Sequence, residues 1–178
     1  MTESTLAAES RPAAGGARTA PRNRLLKSSV YGGLIAGTLD VLAASLLNMV
    51  NPLVVLLAIA TGVLGRAAFK GAAGAMVLGL VLQWGMSIII AAIFTVAASK
   101  MASLARRWVA WGALYGVVIF LVMNFVVVPL SASPIKPHFT VAWFSENLGA
   151  MIVFGWIVAL TASRFLTPAH PPAAAVQR

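Results

Sequence analysis

Four long runs of apolar residues alternate with short polar segments along the chain. The runs cover residues 28–47, 75–99, 108–128 and 141–162. Each has the roughly 20 residues that an α-helix needs to cross about 30 Å of hydrocarbon, so we predict four spanning helices. A fifth apolar run at 52–64, PLVVLLAIATGVL, is too short to cross and is bounded by Asn51-Pro52 and Gly65-Arg66. It predicts one short interfacial or re-entrant helix.

Segments without an apolar period flank these runs. Residues 1–27 are rich in Ala, Gly, Pro, Ser and Arg, and residues 166–178 are rich in Pro and Ala. Such compositions predict two disordered tails around a transmembrane bundle at 28–165. The loop 129–140, PLSASPIKPHFT, contains three prolines. Since proline fixes φ and lacks an N–H donor, this loop is expected to be a stiff strap.

The composition is that of an all-α integral membrane protein. Of 178 residues, 60% are hydrophobic and 10% are charged, and the mean hydropathy is +0.92. A soluble domain is only about half apolar. The chain has no cysteine, and its two histidines have no metal-ligand spacing. We therefore expect no catalytic residues, no cofactor and no metal site.

The basic residues indicate how the chain is oriented rather than a nucleic-acid partner. The net charge is +9, but the Lys and Arg residues lie between apolar segments and form no basic face. With a cytoplasmic N-terminus, ten lie inside and three outside, which is the asymmetry expected of a multi-pass membrane protein with both termini cytoplasmic. The inner set is Arg11, Arg18, Arg22, Arg24, Lys27, Lys100, Arg106, Arg107, Arg164 and Arg178, and the outer set is Arg66, Lys70 and Lys136.

Only two of the four acidic residues, Asp40 and Glu146, fall within apolar runs. A carboxylate in the middle of a spanning helix costs roughly 2.5 to 3.5 kcal/mol on insertion scales, so it is expected to face protein or water. On the first helix, Asp40 belongs to a stripe of small residues at spacings of three and four. The stripe consists of Gly33, Ala36, Gly37, Asp40, Ala43 and Ala44. Such stripes let helices approach closely.

One polar residue from each spanning helix is expected at a similar depth. Counting from the outer helix ends at about 1.5 Å per residue, the four lie roughly 6 to 12 Å deep. They are Asp40, Gln83, Asn124 and Glu146. This candidate intramembrane polar site predicts a connected hydrogen-bond cluster or the end of a water-filled pocket. The structural alternative is interhelical bonding, worth on average about 0.6 kcal/mol for each residue.

The last two helices and the strap resemble the YagU-like bacterial inner-membrane proteins. The resemblance covers about a third of the chain and consists of a Gly-containing helix with a Pro-Leu end, a Pro-rich strap, and a helix that opens with Glu before Gly. The matching residues are Gly112, Gly116, Pro129, Leu130, Pro134, Pro137, Glu146 and Gly149. The resemblance implies a small multi-helix inner-membrane protein and no defined reaction.

Two functions remain open from the sequence. The first is transport, sensing or coupling of a small solute or proton through the polar layer. The alternative is an accessory or interaction subunit of a membrane complex, in which the polar layer is purely structural. The partners expected are the lipid bilayer and a second copy or another membrane subunit. A homo-oligomer is expected because two GxxxG pairs, Gly33 with Gly37 and Gly112 with Gly116, offer association surfaces.

Overall fold

The computed structural model describes residues 22–134 and 140–166, and most of these residues are helical while none forms a strand. The all-α class is therefore confirmed for this part of the chain. The helices are α1 Arg22–Leu47, α2 Pro52–Leu64, a 3₁₀ helix Gly65–Lys70, α3 Ala72–Lys100, α4 Ala102–Arg106, α5 Trp108–Val122, a π-helix Met123–Val127, α6 Val128–Leu130 and α7 Val141–Leu166.

Five helical segments in the described chain are long and apolar enough to cross a membrane. They are Arg22–Leu47, Pro52–Lys70, Ala72–Lys100, Trp108–Leu130 and Val141–Leu166. This architecture is consistent with a multi-pass membrane protein. The second segment reaches 19 residues because the 3₁₀ helix extends α2 beyond the apolar run predicted at 52–64. By length and composition, the described chain therefore has five candidate spanning segments, one more than the four that the sequence predicts.

The boundaries of the predicted tails also change. α1 begins at Arg22, so residues 22–27 are helical and the predicted disordered tail extends six residues too far. The segment contains Arg, Leu and Lys, which favour helix, and nothing in it ends the helix before the apolar run begins. The predictions for residues 1–21, 135–139 and 167–178 lie outside the described residues.

Neighbouring long helices pack antiparallel. Ser28 on α1 shares a 3.2 Å hydrogen bond with Thr95 on α3, while Asp40 near the far end of α1 is bonded to Gln83. α7 packs on α1, where Tyr31 stacks on Phe165 with ring centroids 6.1 Å apart. α5 packs along α7. α1 and α5 therefore run in one direction, and α3 and α7 run in the other.

This arrangement gives the bundle two chemically different ends. We call the end where α1 and α6 finish and α7 begins the strap end, and the opposite end the basic end. Two of the nine described basic residues, Arg66 and Lys70, lie at the strap end. The other seven lie at the basic end: Arg22, Arg24, Lys27, Lys100, Arg106, Arg107 and Arg164.

Small residues form the interior of the bundle. The larger buried cluster joins α1, α3, α4, α5 and α7, and half of its members are alanine. Since lipid tails are as apolar as the helix surfaces, helices in a bilayer associate through close van der Waals contact rather than through burial from water. Alanine and glycine allow that contact, because they leave little or no side chain between the backbones.

Both GxxxG pairs are used inside the chain. A Cβ atom at Gly33 would lie 2.5 Å from the backbone of Ile88, and one at Gly116 would overlap the carbonyl oxygen of Met151. These faces are therefore covered by α3 and α7, and the expectation that they are free association surfaces was wrong. Any association with a second copy requires another surface.

The short helix α2 packs against the first half of α3. A Cβ atom at Gly79 would overlap the backbone of Leu56. Asn51 caps α2 by accepting a 2.9 Å hydrogen bond from the Leu53 N–H, and Pro52 occupies the first turn. At the other end Gly65 has φ +56°, a conformation that favours glycine and ends the α-helix.

We predict that Gly155→Ala destabilises the protein, because an added Cβ would overlap the carbonyl oxygen of Gly112 and force α5 away from α7. The expected loss is about 1 to 3 kcal/mol of unfolding free energy, measured by denaturation in mixed micelles. Gly149→Ala on the same helix is the matched control, because a Cβ there meets nothing within 4 Å. It should be neutral or stabilising by up to about 1 kcal/mol. Equal losses in both variants would contradict this packing.

Candidate functional site

Asp40 and Gln83 meet between α1 and α3. The side-chain amide of Gln83 donates a 2.9 Å hydrogen bond to Oδ2 of Asp40 and a 3.2 Å hydrogen bond to the carbonyl oxygen of Gly37. Both residues are half-buried. The amide of Gln83 on α3 thus binds both the carboxylate and the backbone of α1. The sequence prediction that Asp40 faces protein agrees with this contact.

Two glycines make this contact possible. A Cβ atom at Gly37 would lie 2.5 Å from Oγ of Ser87, and Gly33 lies against the Ile88 backbone one turn along. With any side chain at these positions, α1 and α3 would be further apart. The amide of Gln83 would then no longer span the gap to Asp40.

The carboxylate has no cationic partner within the described chain. Among residues 22–134 and 140–166 no ion pair is formed by Asp40, whose side-chain partner there is the neutral amide of Gln83. The second carboxylate oxygen of Asp40 and the amide oxygen of Gln83 accept no hydrogen bond from these residues. Since none of the described buried side-chain N or O atoms lacks a hydrogen bond, those two oxygens are reachable from outside the protein.

A second polar contact lies beside this pair. The indole Nε1 of Trp84 donates a 3.2 Å hydrogen bond to Oγ1 of Thr38. Both hydrogen bonds, Gln83 to Asp40 and Trp84 to Thr38, therefore join α1 to α3 next to the close approach of Gly37 and Ser87. Sequence reasoning missed Thr38 and Trp84.

The sequence pattern of α3 indicates which face of this helix packs against α1. Gln83, Ser87, Ala91 and Thr95 recur at spacings of four, so they share one helix face of small and polar residues. This face meets the small stripe of α1: Ser87 lies against Gly37, and Thr95 is bonded to Ser28. Matching the two stripes predicts the α1–α3 pairing, although not its register.

Asn124 is not part of this pair. Its side-chain amide donates a 2.9 Å hydrogen bond to the carbonyl oxygen of Phe120 in its own helix. The residue lies in the π-helix Met123–Val127, where Val128 N–H bonds the carbonyl oxygen of Met123 five residues earlier. Pro129 follows and has no N–H with which to continue the normal ladder. The side chain of Asn124 thus supplies a hydrogen bond to a backbone carbonyl group where the helix is irregular.

Glu146 is also separate. It is exposed in the second turn of α7 and forms no hydrogen bond or ion pair with the described residues. Gly149, one turn further along, faces open space. The single connected cluster of four polar residues that the sequence predicts is therefore not formed in the described chain, where only Asp40 and Gln83 are joined.

The reason is the order in which the helices pack. The depths estimated from the sequence place four side chains at similar levels but do not say which helices are neighbours. In the structure α7 packs on both α1 and α5. Asn124 therefore lies on a helix whose main partner is α7 rather than α1.

The described residues contain no group of three or more His, Asp or Glu side chains close enough to hold a metal ion. The chemistry available at the Asp40–Gln83 pair is that of one carboxylate and one amide oxygen. Such hard oxygen atoms bind a proton or a small hard cation.

Comparison of the chain with models of known protein families, with curated proteins and with solved structures finds no match.

Proposed function

We propose that the chain is a multi-pass protein of a bacterial inner membrane in which α1, α3, α5–α6 and α7 cross the bilayer. In this proposal α2 is a re-entrant or interfacial helix, and both termini are cytoplasmic. Membership of the YagU-like family belongs to the same proposal and rests on the motifs of the last two helices.

Two contacts support the assignment of α2. α2 begins five residues after the end of α1, at the strap end. Near its other end, Ala132 N–H donates a 2.9 Å hydrogen bond to the carbonyl oxygen of Gly62, and Thr61 shares a 2.9 Å hydrogen bond with Ser133. Residues 131–133 follow α6, so they also belong to the strap end. A helix with both ends at one end of the bundle does not cross it.

The charges support the orientation. Seven of the nine described basic residues lie at the basic end, and cytoplasmic loops carry the excess of Lys and Arg in membrane proteins. The strap end then faces the periplasm, and Asp40 lies in the outer half of the bilayer.

Single cysteines test this topology, since the chain has none of its own. Met49→Cys and Gly71→Cys flank α2 and its 3₁₀ extension, and both positions are exposed. We expect both to react with an impermeant maleimide from outside intact cells. Ser103→Cys at the basic end should react only after permeabilisation. Labelling of positions 49 and 71 from opposite sides would instead indicate that residues 52–70 cross the membrane.

The function supported best is sensing, coupling or movement of a proton or small cation at Asp40. The observation that carries it is a carboxylate between two packed helices that accepts a hydrogen bond from an amide, has no cationic partner in the described chain, and has a second oxygen that is neither hydrogen-bonded there nor fully buried. Intramembrane acids are costly and mark ion pathways and proton relays by default.

Uptake of a proton would change the contact between α1 and α3. The hydrogen bond from Gln83 to an ionised carboxylate is charge-assisted, and such bonds are roughly twice as strong as neutral ones. Protonation of Asp40 therefore weakens the attachment of α1 to α3 near the strap end, while the Ser28–Thr95 bond holds the other end. Occupancy of the carboxylate is thereby coupled to helix packing.

Trp84 is placed to report this change, because it follows Gln83 and is bonded to Thr38 on α1. We expect a pH-dependent shift in tryptophan emission in the reconstituted protein. The shift should be absent in Asp40→Asn and in Trp84→Phe. It should persist in Glu146→Gln, a matched control because this acid is exposed and unattached to the pair.

A proton-flux assay with a pH dye inside liposomes then separates movement from sensing. Flux that is lost at least tenfold in Asp40→Asn and kept in Glu146→Gln indicates movement, whereas a spectral shift without flux indicates sensing or coupling. An unchanged pH response in Asp40→Asn would contradict the proposed function.

The second candidate is an accessory or interaction subunit. Glu146 favours it, because an exposed acid beside the open notch at Gly149 offers a contact for a basic residue of another membrane helix or a second copy. In that case Glu146→Gln would weaken assembly of the complex, and Asp40→Asn would leave it intact.

A further inference from the structure

The basic end carries positive charge that the described protein does not neutralise. Both described acids lie towards the strap end: Asp40 is seven residues before the end of α1, and Glu146 is in the second turn of α7. No ion pair joins a basic residue to either acid in residues 22–134 and 140–166. The counter-charges of the basic residues must therefore come from outside these segments.

One of these cations, Lys100, lines an apolar crease on the protein surface. The crease runs along the outer face of α3 and has a volume of about 600 Å³. Its lining consists of Ala92, Ile93, Val96, Ala97, Lys100 and Met101. From Ala92 to Lys100 the helix rises about 12 Å, so the crease extends over more than two turns of α3, and Lys100 is the charged residue in its lining.

The local sequence explains the shape of the crease. Alanine at positions 92 and 97 leaves a depression between the larger side chains. α3 then ends at Met101, whose extended backbone (φ −122°, ψ 95°) turns the chain into α4. Lys100 lies in the last turn of α3, is exposed and belongs to the lining, so it supplies a positive charge at the basic end of the crease.

We propose that this crease binds an anionic phospholipid, with one acyl chain along α3 and the phosphate beside Lys100. The lining is apolar apart from Lys100, which suits an acyl chain, and the unneutralised lysine suits a phosphate. Basic pockets at the cytoplasmic side of membrane helices bind acidic headgroups in this way. The inference rests on the orientation proposed above, in which the basic end is cytoplasmic, and is independent of the function proposed for Asp40.

Two variants of different kinds test the site. Lys100→Gln removes the charge, and Ala92→Phe fills the crease and keeps the charge. Binding of phosphatidylglycerol and of phosphatidylcholine to the purified full-length protein is measured by native mass spectrometry. The wild type should prefer phosphatidylglycerol. Lys100→Gln should reduce that preference by about fivefold, as expected for the loss of one cation near a lipid surface. Ala92→Phe should reduce the binding of phosphatidylglycerol because the acyl chain no longer fits.

Two controls separate this site from general attraction. Lys100→Arg should keep the preference because it keeps the charge. Lys70→Gln removes an exposed lysine that precedes α3 at the strap end, and it should have no effect. The proposal is overturned if Lys100→Gln binds phosphatidylglycerol like the wild type, or if Lys70→Gln lowers binding equally. It is also overturned if Ala92→Phe has no effect, because binding would then be diffuse attraction to surface charge.

Discussion

Close backbone contact at glycine is the constraint from which the rest of the structure follows. α1 meets α3 at Gly33 and Gly37, α5 meets α7 at Gly116 and Gly155, and α2 meets α3 at Gly79. Because lipid supplies no hydrophobic force between apolar helices, these contacts carry the van der Waals attraction that holds the bundle together. They also fix which residues oppose one another. The amide of Gln83 reaches Asp40 only because two glycines bring their helices together.

The sequence predicted the long helices and the protein-facing side of α1, because both follow from local patterns: apolar runs of spanning length, and small residues at spacings of three and four. Neighbour order and register were not predictable, since they depend on contacts between distant segments. Glu146 and Asn124 show the difference. Their depths were estimated as similar to that of Asp40, but one points away from the bundle and the other bonds its own backbone. The 3₁₀ extension of α2 was missed because it begins at Gly65, and a glycine at this position normally ends a helix.

The two ends of the bundle have different chemistry, and the proposals divide along that line. The strap end has both described acids, the short helix α2 and hydrogen bonds that join α2 to residues 132 and 133. The basic end has seven cations and no described acid. We therefore propose proton or cation exchange for the strap end and contact with anionic lipid for the basic end. α3 passes through both and carries Gln83 near one end and Lys100 at the other.

The most direct test of the account is a double-mutant cycle between Asp40 and Gln83, because the cycle isolates the pairwise energy from the effects of each single change. The unfolding free energy is measured for Asp40→Ala, Gln83→Ala and the double variant, with Asp40→Ala and Glu146→Ala as the control cycle. We predict a coupling of about 0.6 to 1.7 kcal/mol for the first cycle, which is the range for hydrogen bonds between membrane helices, and no coupling for the control cycle. Additive effects at Asp40 and Gln83 would mean that the carboxylate is not held across the α1–α3 contact, and the proposed site would be wrong.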